Sequence, residues 1–154
     1  MAREAEPRRM YDWDNLLGVC CGRSTGPGQA VFDHCDRTRG STALRLDPTR
    51  RAPDPEQVLS YQRCGETGGV RVAAVPPYDA DVETLNLNHP ALARRRRSAE
   101  DAIAAELARC QKRGVSRSHA LKRLLAVATT PDARGELPEF APVAARYIER
   151  KMKQ

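Results

Sequence analysis

Apolar positions along this chain follow two rhythms. Residues 43–46 alternate and stop at Asp47-Pro48, and residues 49–56, rich in proline, read as a loop. Residues 58–64 (VLSYQRC) and 69–75 (GVRVAAV) are β-type runs on either side of Gly65-Glu66-Thr67-Gly68, a pattern that predicts a small antiparallel hairpin. From residue 89 the spacing turns helical. Asn88 is placed as an N-cap with Pro90 in the first turn, and Leu92, Ala99, Ile103, Leu107 and Cys110 recur near helical spacing until Gly114 offers a stop. One long helix over residues 89–113 is expected; Ser98 with Asp101 supplies a competing start, and with it a break near Arg97. Ser116 or Ser118 caps a further helix running to Val127, with Leu121, Leu124, Leu125 and Ala128 on its apolar face and Thr130-Pro131 ending it. A last amphipathic segment from Phe140 carries Val143, Tyr147, Ile148 and Met152. The fold class expected is α+β, with the strands and their loops over residues 1–88 and a helical region over residues 89–154.

Composition narrows this picture. Only 5% of the 154 residues are aromatic while 30% are charged, so the core has to be thin and aliphatic. The net charge is +6, and nearly all the basic side chains are arginine. Arginine favours bidentate contacts with phosphate, which makes nucleic acid the natural partner. The amino-terminal residues hold no apolar run of the signal-peptide kind, and no later segment approaches a membrane span, so a cytoplasmic setting and no membrane partner are expected. Cysteines kept reduced in that setting serve metal or structural roles rather than disulfides. Cys64 and Cys110 read as plain thiols, Glu66 as a solvated turn residue and His119 as a surface or capping residue.

The candidate chemistry gathers in residues 11–40, YDWDNLLGVCCGRSTGPGQAVFDHCDRTRG, which hold the only Trp and three of the five Cys. Residues 22–31, rich in Gly, Ser and Thr, read as a flexible excursion between cysteines of metal-binding type. Gly26-Pro27-Gly28 lacks the Lys-Ser/Thr ending and following helix of a phosphate-cradling loop. Asp12-Trp13-Asp14-Asn15-Leu16-Leu17, then Cys20, then His34-Cys35-Asp36 with Arg39-Gly40, resembles the bacterial HNH (ββα-metal) nucleases, and among them the endonucleases that accompany retron and Septu-type antiphage systems. The resemblance continues through Leu46-Asp47-Pro48, the segment 61–69, and Leu85-Asn86-Leu87-Asn88 with Leu92 and Arg96, covering about two thirds of the chain in the family's order.

The resemblance implies an incomplete ββα-metal core followed by a helical half. It implies that Asn15 orients the catalytic histidine and that Asp36 is the last ligand of a catalytic Mg²⁺ or other divalent ion. Cys20 and Cys35 are then ligands of a structural Zn²⁺, with Cys21 an extra neighbour and His34 without a role. Arg39 and the run Arg94, Arg95, Arg96 and Arg97 become candidates for gripping backbone phosphates, DNA before RNA. The family's upstream Cys-x-x-Cys pair and its first-strand histidine, the general base, have no counterpart here, since only ten residues precede Tyr11. Weak or no zinc binding is therefore expected, because two thiolates leave a tetrahedral ion with open positions. The function expected is metal-dependent phosphodiester hydrolysis in the complete form, in antiphage defence, with this chain inactive alone. The alternative is a non-catalytic accessory protein that binds nucleic acid or docks on an ATPase of the same defence system.

Overall fold

A computed structural model describes residues 22–25, 30–47, 53–65 and 68–154. The expectations attached to Asn15, Cys20, Cys21, the Gly26-Pro27-Gly28 run and Glu66 lie outside these residues. What is described is α+β: two small two-stranded sheets and six helices, grouped into two compact units. The first holds the described residues up to Cys64 together with Arg71–Ala93; the second holds Gly65–Val70 and Arg94–Gln154.

In the first unit, β1 (Arg23–Thr25) pairs antiparallel with β2 (Val31–Asp33), in the register Arg23 to Asp33, Ser24 to Phe32 and Thr25 to Val31. The Gly-, Ser- and Thr-rich segment 22–31, expected to be a flexible excursion, thus holds β1 and enters β2 at Val31. Three residues each are too few to show an alternation of their own, and the pairing supplies the order that composition hides. The four-residue helix α1 (Asp36–Arg39) follows at once.

Residues 43–46 are not a strand, which corrects the alternation reading. The reason lies across the unit: Asp81 on α3 (Asp79–Thr84) accepts the Arg45 amide at 2.9 and 3.2 Å on its two oxygens and the Leu46 amide at 2.7 Å. A carboxylate takes the place of a neighbouring strand. The loop expected at residues 49–56 ends in a helical turn, α2 (Pro55–Val58), whose N-cap Asp54 accepts the Glu56 amide at 2.9 Å. Strands β3 (Leu59–Arg63) and β4 (Val70–Ala74) then form the expected hairpin. The apolar side of this unit is small, with Val58, Val72, Val82, Ala91 and Leu92 buried.

Helix α4 (Pro90–Lys112) runs unbroken through Arg97. Ser98, the competing N-cap, instead bonds back to the Arg94 carbonyl at 3.2 Å as a mid-helix serine does, and Arg97 pairs with Asp101 one turn on at 2.8 Å. Its start also differs from expectation. The imidazole Nδ1 of His89 accepts the Ala91 amide at 3.3 Å, while Asn88 is drawn off to β4, its side-chain amide donating to the Val72 carbonyl (2.9 Å) and its oxygen accepting the Val72 N–H (2.8 Å). The end is as the sequence predicts: Gly114 has φ 75° and Val115 N–H returns to the Cys110 carbonyl.

Within the second unit, α5 (Arg117–Thr129) is capped by Ser116, whose Oγ accepts the His119 amide, and it packs on α6 (Ala141–Met152). Leu121, Ala128, Ala144 and Ile148 form the core, with Ile103, Leu107, Leu124 and Leu125 packed against it. Met152 lies outside it, exposed at the end of α6. Among the described residues, no helix is long and apolar enough to cross a membrane.

Candidate functional site

The residues that carry candidate chemistry in the first unit sit on the turn where β2 passes into α1. Two distant segments fix that turn. From before β1, the Gly22 carbonyl accepts the His34 amide at 2.8 Å. Gly22 has φ 67°, and a Cβ there would stand 2.9 Å from both the Arg37 Cγ and the His34 carbonyl oxygen, so glycine alone fits. From fifty residues downstream, the Leu85 carbonyl accepts the Cys35 amide at 2.8 Å, and Asn86 donates its side-chain amide to the Asp33 carbonyl at 3.0 Å. Asn86 stands at φ 49°, in the left-handed region that asparagine tolerates.

Cys35 itself has φ 53° and ψ −128°. Gly40, at φ 54° and ψ −124°, adopts the same conformation five residues later without a side chain to strain. A residue with a Cβ in this region costs about 1–3 kcal/mol, a strain that accumulates where function fixes the backbone. The consequence is local and chemical. The reversed backbone brings Cys35 Sγ to 3.2 Å from Nδ1 of its own neighbour His34, a residue that is 6% exposed. The other ring nitrogen, Nε2, lies 2.9 Å from Ser24 Oγ on β1. Phe32 lies against the His34 ring, tilted by 43°, and stacks flat on the His89 ring with centroids 3.7 Å apart.

Charges surround this turn. Asp33 accepts from Arg23 Nε at 3.0 Å and lies 3.8 Å from Arg37. The hydrogen bond from Arg23, helped by the charges of Arg23, Arg37 and His34, holds the Asp33 carboxyl below the usual carboxylate range against the opposing effect of burial. Asp36, the candidate metal ligand, begins α1 with a half-exposed carboxylate that pairs with Arg39 at 2.9 Å. Arg39 is mostly covered, and its Nε is a buried donor without a hydrogen-bond partner.

Of the residues singled out from sequence, Cys35, Asp36 and Arg39 thus share one turn, while Asn15 and Cys20 lie outside the described residues. The four arginines of α4 do not act alike. Arg94 and Arg95 are exposed, with Arg95 3.9 Å from Glu139, and Arg97 is engaged with Asp101. Arg96 is 5% exposed: its guanidinium reaches the Val70 carbonyl at 3.4 Å and lies 5.9 Å from the Phe140 ring centre. The reading of Arg96 as a phosphate contact is corrected accordingly, because its charged head is turned inward. Among the described residues, no group of three or more His, Cys, Asp or Glu side chains is gathered closely enough to hold a metal ion.

Sequence reasoning gave no role to His34 and missed Ser24, Gly22 and Asp81. The signal for His34 was its place directly before a cysteine of metal-binding type. For Asp81 there was none, because its partners are backbone amides more than thirty residues away. Searches against family models, curated proteins and solved structures return no match to this chain.

Proposed function

We propose that this chain belongs to the HNH (ββα-metal) nuclease lineage of the retron and Septu kind, whose complete form hydrolyses nucleic-acid phosphodiesters with a divalent ion in antiphage defence. One observation carries the reading. Leu85-Asn86, which the resemblance selects independently of the Cys35-Asp36 turn, is hydrogen-bonded to that turn through the Cys35 amide and the Asp33 carbonyl. Parts of one shared site would have to meet in this way, and the contact supports the reading. Leu46, a third part of the resemblance, is held within the same unit by Asp81.

The donors fit the implied metals in part. Cys35 offers a sulfur to zinc, with Cys20 as its partner in the sequence, and Asp36 offers a hard oxygen to Mg²⁺. Once bound, the divalent ion would stabilise charge on the leaving oxygen, and the zinc would pin the loop. The chain's own contribution is positional. Arg39 holds the Asp36 carboxylate in place through a 2.9 Å contact, and the Gly22 and Leu85 carbonyls fix the backbone on which Cys35 and Asp36 stand. A general base is still needed; in this reading the His34 ring is engaged with Ser24 and Cys35, the His89 ring with the start of α4, and His119 stands exposed on α5 in the other unit.

Fusing a histidine-bearing family strand ahead of Tyr11 tests the proposal. Mg²⁺-dependent cleavage of DNA or RNA is expected, abolished by Asn15→Ala and by Asp36→Ala; cleavage that survives both substitutions overturns the assignment.

A specific observation also favours the second reading, nucleic-acid binding without catalysis. Residues 94–154 carry fifteen Lys and Arg against seven Asp and Glu. Binding by the chain should then weaken linearly on a log–log plot with salt, and Arg94→Ala with Arg95→Ala should lower the slope by about 2. An unchanged slope places the phosphate contacts elsewhere.

A further inference from the structure

We infer that this chain pairs with a second copy of itself through its helical unit: the basic, methionine-bearing end of α6 in one copy seats in an apolar groove beside the end of α5 in the other, and the reverse. Neither functional reading is needed for this pairing, which rests on the groove, its charge and the place of its counterpart.

The groove lies where α5 ends and the chain turns toward α6. Ala126, Val127, Leu137 and Pro138 line it together with Asp132 and Glu136, and it encloses about 540 Å³. Val127 is 60% exposed and Leu137 49%, apolar surface that gains from being covered. The turn between them has a fixed shape, because Asp132 Oδ1 accepts the Arg134 amide at 2.8 Å and the Glu136 amide at 3.0 Å.

Charge narrows the occupant. Five of the seven acidic side chains in residues 94–154 are in ion pairs with arginine: Glu100, Asp101, Glu106, Glu139 and Glu149. The two without a Lys or Arg partner among the described residues are Asp132 and Glu136, and both line the groove. A strongly basic unit thus keeps its uncompensated negative charge at one apolar depression. Phosphate is repelled there, whereas an apolar side chain flanked by cations is attracted.

The end of α6 is such a group. Met152 is 43% exposed and stands between Lys151 and Lys153. Neither lysine pairs with a carboxylate among the described residues; Lys151 Nζ reaches the Gln154 side-chain oxygen at 3.2 Å and lies 5.8 Å from the Tyr147 ring centre. Val127, Leu137 and Met152 are the large exposed apolar side chains of this unit among the described residues, so all of them belong to the groove or to its counterpart.

One copy cannot fill its own groove. Arg117, at the start of α5, donates to the Lys151 carbonyl at 3.2 Å, so the end of α6 lies beside the start of α5. The groove is at the opposite end of α5, thirteen helical residues or about 20 Å away. Two copies laid antiparallel about a two-fold axis bring each Met152 end against the other's groove, and a single encounter then fills both seats. Apolar burial supplies the affinity, and the carboxylate–lysine pairs set the orientation.

Sedimentation of the full chain over a wide range of concentration tests the pairing, with a monomer–dimer equilibrium expected. Leu137→Ser and Met152→Ala alter exposed side chains, so each should keep the parent's melting temperature in dilute solution while losing the dimer. Glu136→Lys alone, and Lys151→Glu with Lys153→Glu, should each weaken the dimer by about 10-fold or more through like charges brought together. All three changes in one chain restore opposite charges and should bring most of the association back, a recovery that misfolding does not give. Amide exchange should slow at residues 126–138 and at the end of α6 as the dimer forms.

A chain that stays monomeric at every concentration overturns the inference, and so does a dimer unaffected by Leu137→Ser and Glu136→Lys. A monomer whose residues 126–138 are protected instead by a short lysine-flanked leucine peptide gives the groove to a separate protein and overturns it as well. Cleavage by the strand-fused chain, or its failure, bears on the nuclease reading alone.

Discussion

Residues 94–154 carry a net charge of +8, from fifteen basic and seven acidic side chains, while residues 1–93 carry −2, from eleven and thirteen. The contrast extends to what holds each unit together. In the second unit, aliphatic side chains on α4, α5 and α6 meet in one core, and even the buried carboxylate of Glu100 is matched by Arg150 at 2.7 Å. In the first, single polar side chains reach across long stretches of sequence to backbone groups: Asp81 to the amides of Arg45 and Leu46, Asn88 to Val72, and Asn86 to Asp33. An apolar core tolerates a polar and highly charged exterior, which leaves the helical unit free to carry exposed arginines such as Arg94 and Arg95. A unit braced by hydrogen bonds fixes particular backbone positions instead, among them the turn on which Cys35 and Asp36 stand.

The contrast is broken most directly at Ile148, the largest fully buried side chain among the described residues. Ile148→Ala should cost about 3–4 kcal/mol, the range for emptying a packed aliphatic site. Thermal melting followed by helical circular dichroism measures it, with hydrogen-exchange protection of α5 and α6 expected to fall. A loss under 1 kcal/mol would mean that the helices are not held by this core.

Asp81 is the matching probe of the first unit. Asp81→Ala leaves the Arg45 and Leu46 amides without their acceptor, at an expected cost of about 2–3 kcal/mol. The signature is positional: amide exchange at residues 45 and 46 should accelerate ahead of the rest. Uniform acceleration along the chain would make Asp81 an ordinary core residue rather than a brace.

These two probes also explain which parts of the molecule were legible in the sequence. Apolar residues on a helix advertise themselves by period, so α4, α5 and α6 were readable, as was the hairpin on either side of its glycines. A brace has no period. Asp81, Asn86 and Asn88 look like the polar residues of any turn, and the sequence offers Asn88 for the helix cap that His89 supplies. β1 and β2 went unread because three-residue strands show no alternation to count, and residues 43–46 were misread because an alternation of four residues fits a strand and a carboxylate-held segment equally well. At the candidate site, residue type pointed to Cys35 and Asp36. The positive φ that brings Cys35 beside His34 leaves no trace in composition or spacing, since nothing but glycine advertises such a backbone.

The smallest effect is expected at Asp33, where charge rather than packing or backbone bracing is in question. Its carboxyl is held below the usual range chiefly by the Arg23 hydrogen bond, so its folded-state pKa lies under the unfolded value of about 3.9. A depressed carboxylate contributes stability that is fully present above the unfolded pKa and is lost as pH falls through the folded one. The side chain is half-exposed, so the contribution is small and weakens further with salt. Melting temperatures of the parent and Asp33→Asn should therefore differ slightly at neutral pH and low salt, and should converge as pH drops below the carboxylate range. A gap that persists unchanged into acid would show that the Arg23 contact acts through geometry alone, which would place Asp33 among the neutral braces of its unit.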